Sequence, residues 1–294
     1  MQTKKILFII NPVAGGKTVN KENLLSSIKS NLPKGSDYDI KIWEDLSQND
    51  EIHKMISSGN YEMVVAVGGD GTINFVAQEA MRQGMPIGII PLGSGNGLAR
   101  HLGIPLKTTE AIKNIASGKE MIIDTGIING NIFICTTGAG FDALIGNLFS
   151  ESKERGFFTY AKMTLQQLVN YKPQEYTITF DDKVLKRKAF ILALANVNQY
   201  GNNTYIAPQA DIQDGYLDIC IIKPFKAFEF PQLGIRIFNR TITKSPLYEY
   251  YKTKKVEITF EGNDPVHFDG EPVIMGNKLN IEVRPASLKV IVPN

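Results

Sequence analysis

Through roughly the first 125 residues, short apolar runs rich in β-branched side chains alternate with amphipathic stretches, which predicts repeated strand–helix units. Strands are expected at Lys5–Ile10, Asp39–Trp43, Met63–Val67 and Pro86–Pro91. Helices are expected at Lys21–Asn31, Asp50–Ser58 and Ile73–Gln83, near Gly97–His101, and at Thr108–Ser117. That order argues for a mostly parallel sheet with helices on both faces. From about Thr125 the pattern shifts toward period-two alternation, with strands at Asn131–Thr137, Glu175–Phe180, Lys188–Ala195, Tyr216–Ile222, Lys255–Glu261 and Leu279–Arg284. Gly276-Asn277 predicts a hairpin turn between Pro272–Met275 and Lys278–Arg284. Helical interruptions are expected at Gly156–Tyr171 and Phe225–Arg240, so the second half reads as an antiparallel sandwich. The change of character near Asp124 marks a domain boundary, and there is no internal repeat or low-complexity segment.

Composition narrows the class. With 294 residues, 43% apolar and 21% charged, the chain has the make-up of a globular protein of one large or two ordinary domains. A net charge of +2 gives no reason to expect nucleic acid as a partner. Cys135 and Cys220 both lie in apolar runs and read as buried free thiols. No stretch approaches the roughly 18 uninterrupted apolar residues of a membrane span. The apolar run Ile6–Ile10 ends at Asn11-Pro12 without a small-residue cleavage pattern, so a first strand is expected there and the chain is expected in the cytoplasm.

The chemistry concentrates where strands end. Val64–Val67 runs into Gly68-Gly69-Asp70-Gly71-Thr72, with Ile73, Asn74 and a helix behind it. Glycine puts no Cβ in the way of a phosphate, and an aspartate held at that point can face a metal or a reacting hydroxyl. This is the chemistry of a nucleotide-using kinase. Two companion loops follow other strands: Asn11-Pro12-Val13-Ala14-Gly15-Gly16-Lys17, and Gly93-Ser94-Gly95-Asn96-Gly97. On a parallel sheet all three lie at the C-terminal edge, where ligands bind, and offer N–H donors, helix N-termini and the Ser94 and Thr72 hydroxyls to a polyphosphate. Gly16-Lys17-Thr18 is not a Walker A loop, because the required earlier glycine is Asn11. Gly138-Ala139-Gly140-Phe141-Asp142-Ala143 matches G-x-G-x-x-A, but it falls where the βαβ pattern ends and reads as a turn. No nucleophilic serine or cysteine arrangement is evident, and His53, His101 and His267 read as structural or solvated.

Taken in order, Asn11-Pro12 with Gly15-Gly16, the GGDGT element, Gly93 to Asn96, Asp124, Gly138 to Ala143, Asp214-Gly215 and Asp269-Gly270-Glu271 resemble the diacylglycerol kinase catalytic-domain family. That family includes soluble bacterial lipid kinases and the sphingosine and ceramide kinases, and the resemblance spans nearly the whole chain. It implies a Rossmann-like nucleotide domain, residues 1–124, to which 286–294 return through a strand at Leu288–Val292, and a β-sandwich lipid domain, residues 125–285. It implies ATP bound by Asn11, Pro12, Gly15, Gly16, Lys17, Gly68, Gly69, Asp70, Gly71, Thr72, Asn74, Gly93, Ser94, Gly95 and Asn96. It further implies Glu271 as the proton acceptor, with Asp269 and Asp70 organising Mg²⁺–ATP and Asp124 in their network, in a cleft between the domains. By the same resemblance a structural Mg²⁺ would sit on Asp214 with the carbonyls of Asp211 and Tyr216; the residue pattern alone equally allows an Asp-Gly hairpin. One position departs from the soluble bacterial pattern: Gly97 stands where an aspartate is typical, which brings the loop closer to the sphingoid-base and ceramide kinases.

A lipid kinase meets its substrate at a bilayer. Apolar residues from Phe225 to Phe238, flanked by Lys223, Lys226, Arg236, Arg240 and Lys244, suit either a peripheral contact with the inner face of the membrane or a helix packed on the sandwich. The expected activity is ATP- and Mg²⁺-dependent transfer to the hydroxyl of a diacylglycerol or sphingoid-type lipid. The alternatives are a NAD kinase-like phosphotransferase and a catalytically silent nucleotide-binding regulator. Exposed sheet edges in the second half would allow a homodimer.

Overall fold

The computed structural model describes residues 5–14, 17–18, 20–152, 157–168 and 170–294. The chain divides into two compact units. The first comprises residues up to Ile123 together with Ala286–Asn294, and the second is Asp124–Pro285.

In the first unit, β1 (Lys5–Ile10) leads through a small ribbon, β2 (Val13–Ala14) and β3 (Lys17–Thr18), into α1 (Lys21–Asn31) and β4 (Asp37–Ile42). Then follow α2 (Asn49–Ser58), β5 (Met63–Gly68), α3 (Asp70–Gln83), β6 (Ile87–Pro91), α4 (Gly97–His101) and α5 (Thr108–Ser117). Strands β4, β1, β5 and β6 lie side by side and parallel, and the far side of β6 pairs with the C-terminal part of β18 (Lys278–Val292) through Val290 and Ile87. Alternate strand residues point to opposite faces. Phe8, Ile10, Val65 and Val67 pack against Leu24 and Ile28 of α1 and Ala111, Ile112 and Ile115 of α5. Leu7, Ile9, Val64 and Ala66 are buried on the other face, where α3 lies against β5 and β6 and α2 against α3. With both faces covered, the central strands must be apolar throughout, which is why they read as unbroken runs.

The second unit is a sandwich. It contains β7 (Lys119–Ile128, which begins in the first unit), β8 (Asn131–Phe133), β9 (Thr136–Gly140), α6 (Phe141–Glu151) and α7 (Phe157–Leu168). After these come β10 (Gln174–Phe180), β11 (Lys183–Ala189), β12 (Ile191–Ala195), β13 (Leu217–Ile222) and α8 (Phe230–Phe238). It closes with β14 (Tyr248–Thr253), β15 (Lys255–Phe260), β16 (Val266–Phe268), β17 (Glu271–Val273) and the first part of β18. One sheet runs β11–β10–β15–β18, and the other β14–β13–β12–β9–β16–β17. Between them pack Ile178, Phe180, Ile258, Leu279 and Ile281 from the first sheet and Leu192, Leu194, Ile219 and Val266 from the second. The second sheet has another apolar face, where Ala193, Ala195, Cys220 and Ile222 meet Phe141 and Ile145 of α6 and Leu233 of α8.

Several elements differ from the sequence expectation. Helix α3 begins at Asp70, three residues early, because Gly69 caps it. The single strand expected at Asn131–Thr137 is broken into β8 and β9, and Lys188–Ala195 divides between β11 and β12. The expected Gly276-Asn277 hairpin is not formed: β17 pairs instead with β16, across Asp269-Gly270. Strands β7 and β14 and helix α6 were not expected, since Lys119–Ile128 and the tyrosine-rich Tyr248–Thr253 carry no clean alternation. Leu279–Arg284 and Leu288–Val292 are one continuous strand. Of the expected helix Gly156–Tyr171, Gly156 and Val169 lie outside the described residues.

Candidate active site

In the first unit the three glycine-bearing loops leave the C-terminal ends of β1, β5 and β6, and hydrogen bonds lace them together. The Asn11 N–H donates to the Val67 carbonyl (3.0 Å) and the Leu92 N–H to the Gly68 carbonyl (2.8 Å). Asp70 opens α3 and reaches across to the β6 loop: its Oδ2 accepts the Asn96 N–H (2.9 Å) and its Oδ1 the Gly97 N–H (3.0 Å). Asn96 holds a left-handed conformation (φ +52°) that its side chain supports by donating to the Gly93 carbonyl, 2.7 Å away. Gly93 is sterically required, because a Cβ there would stand 2.7 Å from the Gly69 Cα. The two loops therefore touch backbone to backbone. Arg100, which sequence reasoning passed over, fixes the loop from below by donating from Nε to the Gly95 carbonyl (3.0 Å).

The nucleotide candidates differ in exposure. Gly71 and Ser94 are exposed, whereas Thr72 is buried, packed where a Cβ on Gly68 would come within 2.5 Å of its Oγ1. Asn74 is buried on α3 and accepts from Gln78 Nε2 at 2.6 Å. Asn11 accepts the Val13 N–H at 2.9 Å, and the neighbouring Pro12 is buried. Gly15 and Gly16 lie outside the described residues, and Lys17 belongs to the β2–β3 ribbon. Chemically, exposed glycine backbone beside the positive end of a 14-residue helix is suited to phosphate oxygens.

In the second unit, Asp269 and Gly270 form the two-residue turn of the β16–β17 hairpin, both with positive φ (+50° and +85°). The Asp269 carboxylate turns inward. Its Oδ2 accepts the Ile134 N–H (2.8 Å), and its Oδ1 accepts those of Cys135 (2.7 Å) and Thr136 (3.1 Å). Glu271, paired on the backbone with Phe268, is exposed, and its carboxylate has no hydrogen-bond or ion-pair partner among the described residues. The hairpin thus ties one acid, half-buried, into backbone hydrogen bonds and leaves the other exposed.

Comparison with known proteins identifies the family of both units. Residues 5–128 match the diacylglycerol kinase catalytic domain, and residues 135–292 match the YegS C-terminal NAD kinase beta sandwich-like domain. The chain belongs to the diacylglycerol kinase catalytic-domain family. It is 31% identical over 227 residues to a protein of Chromohalobacter salexigens named Probable lipid kinase YegS-like, covering 75% of this chain and 73% of that one. It is 26% identical over 275 residues to the diacylglycerol kinase of Bacillus subtilis, covering 91% and 90%. The crystal structure of a diacylglycerol kinase from Bacillus anthracis shares the fold, with a TM-score of 0.75 at 21% identity over 99% of this chain and 98% of that one.

Other features of this diacylglycerol kinase-family chain surround the hairpin. Asn196, which sequence reasoning missed, is fully buried and donates from Nδ2 to the carbonyls of Asp124 (2.9 Å) and Ile134 (2.8 Å). Asp124 in turn accepts the Gly215 N–H at 2.7 Å, so its bonds reach the Asp214-Gly215 turn and the segment held by Asp269. No spacing rule marks a buried asparagine after an apolar strand. His267 is buried with Nε2 3.1 Å from Asp142 Oδ2, which also accepts the Tyr200 hydroxyl at 2.7 Å. The G-x-G-x-x-A match is a strand-to-helix junction, not a simple turn. Its glycines let β9 approach β12, since a Cβ on Gly138 would meet the Leu192 carbonyl at 2.5 Å.

At the expected structural metal turn, Asp211 Oδ1 accepts the Gln213 N–H (3.0 Å) and Asp214 Oδ1 the Tyr216 N–H (3.0 Å), while Asp214 Oδ2 is ion-paired with Lys252. The Lys252 ammonium thus stands at the carboxylate on which a Mg²⁺ would sit. Among the described residues no cluster of three or more acids, histidines or cysteines is arranged to hold a metal. Beside this turn, burial pushes the Asp218 carboxyl up to about 6, a rise that the Tyr250 hydroxyl and Lys252 only partly offset. Neither Cys135 nor Cys220 is in a disulfide, both are buried, and burial pushes the Cys220 thiol well above its ordinary range.

Proposed function

We propose that the protein transfers the γ-phosphate of ATP to the hydroxyl of a lipid. The observation that carries this reading is the division between the two acids of one hairpin: Asp269 is engaged by three backbone N–H groups, and Glu271 is left exposed and unpaired. Phosphoryl transfer needs little covalent chemistry from the protein. It needs positioning, charge neutralisation and an acceptor for the hydroxyl proton. The β5 and β6 loops, locked together through Asp70, offer backbone donors to the phosphates. Glu271 takes the proton of the attacking hydroxyl, and Asp269 fixes the turn that presents it. Asp70, the acid of these loops, offers only oxygen donors, which fits Mg²⁺ carried largely by the nucleotide's phosphates. When bound, that ion neutralises phosphate charge.

The test is transfer from labelled ATP, with Mg²⁺, to diacylglycerol, sphingoid bases, ceramide, monoacylglycerol, undecaprenol and NAD in parallel. A labelled lipid is the expected product. Label on NAD alone would make the protein a NAD kinase-like phosphotransferase, and label on none of them would favour a silent nucleotide-binding regulator.

A further inference from the structure

One helix of the second unit is apolar on two sides. Ala227–Glu229 forms a 3₁₀ turn that continues into α8, whose Leu233 and Ile237 pack with Phe225 onto the outer apolar face of the sandwich. Across the helix, Phe228 is 76% exposed, Ile235 61% and Phe238 46%, and Pro231 between them is also exposed. Positions 228, 231, 235 and 238 follow helical spacing, so the four form one stripe. Single exposed apolar residues are ordinary, but a contiguous stripe marks a contact surface.

The charge around the stripe identifies its partner. Between Lys223 and Tyr248 stand five basic residues (Lys223, Lys226, Arg236, Arg240 and Lys244) and one acid, Glu229; Lys223 is ion-paired at 3.0 Å with Glu249, just beyond that span. The Glu229 carboxylate is turned back to cap the Lys226 N–H at 2.8 Å. Lys226 lies 5.9 Å from the centre of the Phe228 ring. Arg240 is held differently, 4.1 Å above the Tyr205 ring and donating to its hydroxyl. We propose that the Phe228–Phe238 face docks the protein onto an anionic bilayer, with the three large side chains in the interfacial region and Lys226, Arg236 and Lys244 over the headgroups. The purpose of such docking rests on the lipid-kinase reading. A second copy of the chain is a poorer occupant: the stripe exposes on the order of 300–400 Å² of side chain, against roughly 800 Å² per partner in a stable interface.

The experiment is co-sedimentation of the full chain with vesicles of phosphatidylcholine alone and of equal parts phosphatidylglycerol and phosphatidylcholine. The wild type should bind the anionic vesicles and release them in high salt. The triple variant F228S/I235S/F238S should bind at least tenfold more weakly while keeping the far-UV spectrum and melting temperature. K226Q/R236Q/K244Q should lose the preference for anionic lipid. Equal binding by wild type and the triple variant would overturn the proposal, as would a dimer in solution that the triple variant abolishes with no vesicle binding by either. Because binding is read without turnover, a wild type that docks but phosphorylates no lipid would support the docking face and count against the kinase reading alone.

Discussion

The Asp269 carboxylate accepts N–H bonds from Ile134, Cys135 and Thr136, while Glu271 on the same hairpin has its carboxylate in water. Amide substitution should therefore separate them. Glu271→Gln removes a proton acceptor and breaks no bond among the described residues, so turnover should fall by about 10²–10⁴-fold with an unchanged melting temperature. Asp269→Asn keeps one carbonyl oxygen but turns an NH₂ group toward donors that need an acceptor. It should cost about 3 kcal/mol of stability as well as activity, read as a melting temperature several degrees lower. If the two variants behaved alike, the division of roles would be wrong. The sequence displayed both acids but not their division. The segment that claims Asp269 lies some 135 positions earlier in the chain, and no local pattern announces that pairing.

At the level of elements, the contact between the β5 and β6 loops depends on the missing side chain of Gly93. Gly93→Ala would place a Cβ 2.7 Å from the Gly69 Cα and 2.9 Å from Asn96 Oδ1, neither of which can yield without moving the Asp70 bridge. Overpacking of this kind costs roughly 1–3 kcal/mol, and here it should appear as weaker ATP binding in calorimetry. Gly234→Ala is the control. A Cβ there meets nothing within 4 Å, and the residue lies within α8, so the change should stabilise the protein by about 0.5–1 kcal/mol. The strand–helix alternation of the first unit was legible because each buried strand is an unbroken apolar run and each helix has a periodic face. The second unit was legible as β but not in its pairing. Strand β12 is buried on both faces and shows no alternation, and β17 pairs with β16 across Asp269-Gly270 while β18 pairs with β15, a choice that no local pattern marks. Asn196 stayed invisible because its partners are backbone carbonyls, which carry no sequence signal.

For the molecule as a whole, the shared strand matters most. β18 pairs with β15 over Lys278–Glu282 and with β6 at Val290, so its last residues complete the sheet of the first unit. They are fastened there by polar contacts as well. Asn114 donates to the Ile291 carbonyl at 3.3 Å, the C-terminal Asn294 donates to the Ser117 carbonyl at 2.6 Å, and Lys289 lies 4.0 Å from Glu120. Leu288, Val290 and Val292 are buried. A fragment ending at Ile123 would leave the edge of β6 open and lose the burial of these three side chains, each worth about 1.5–3 kcal/mol. That sum is comparable to the whole stability of an ordinary domain. Residues 1–123 alone should therefore aggregate or show no cooperative melting. The same fragment joined through a short glycine-rich linker to residues 286–294 should melt cooperatively, because β7 already pairs with β18 and the linker spans a neighbouring strand. Cooperative melting of the shorter fragment would mean that the returning strand is an ornament of the first unit and not part of its core.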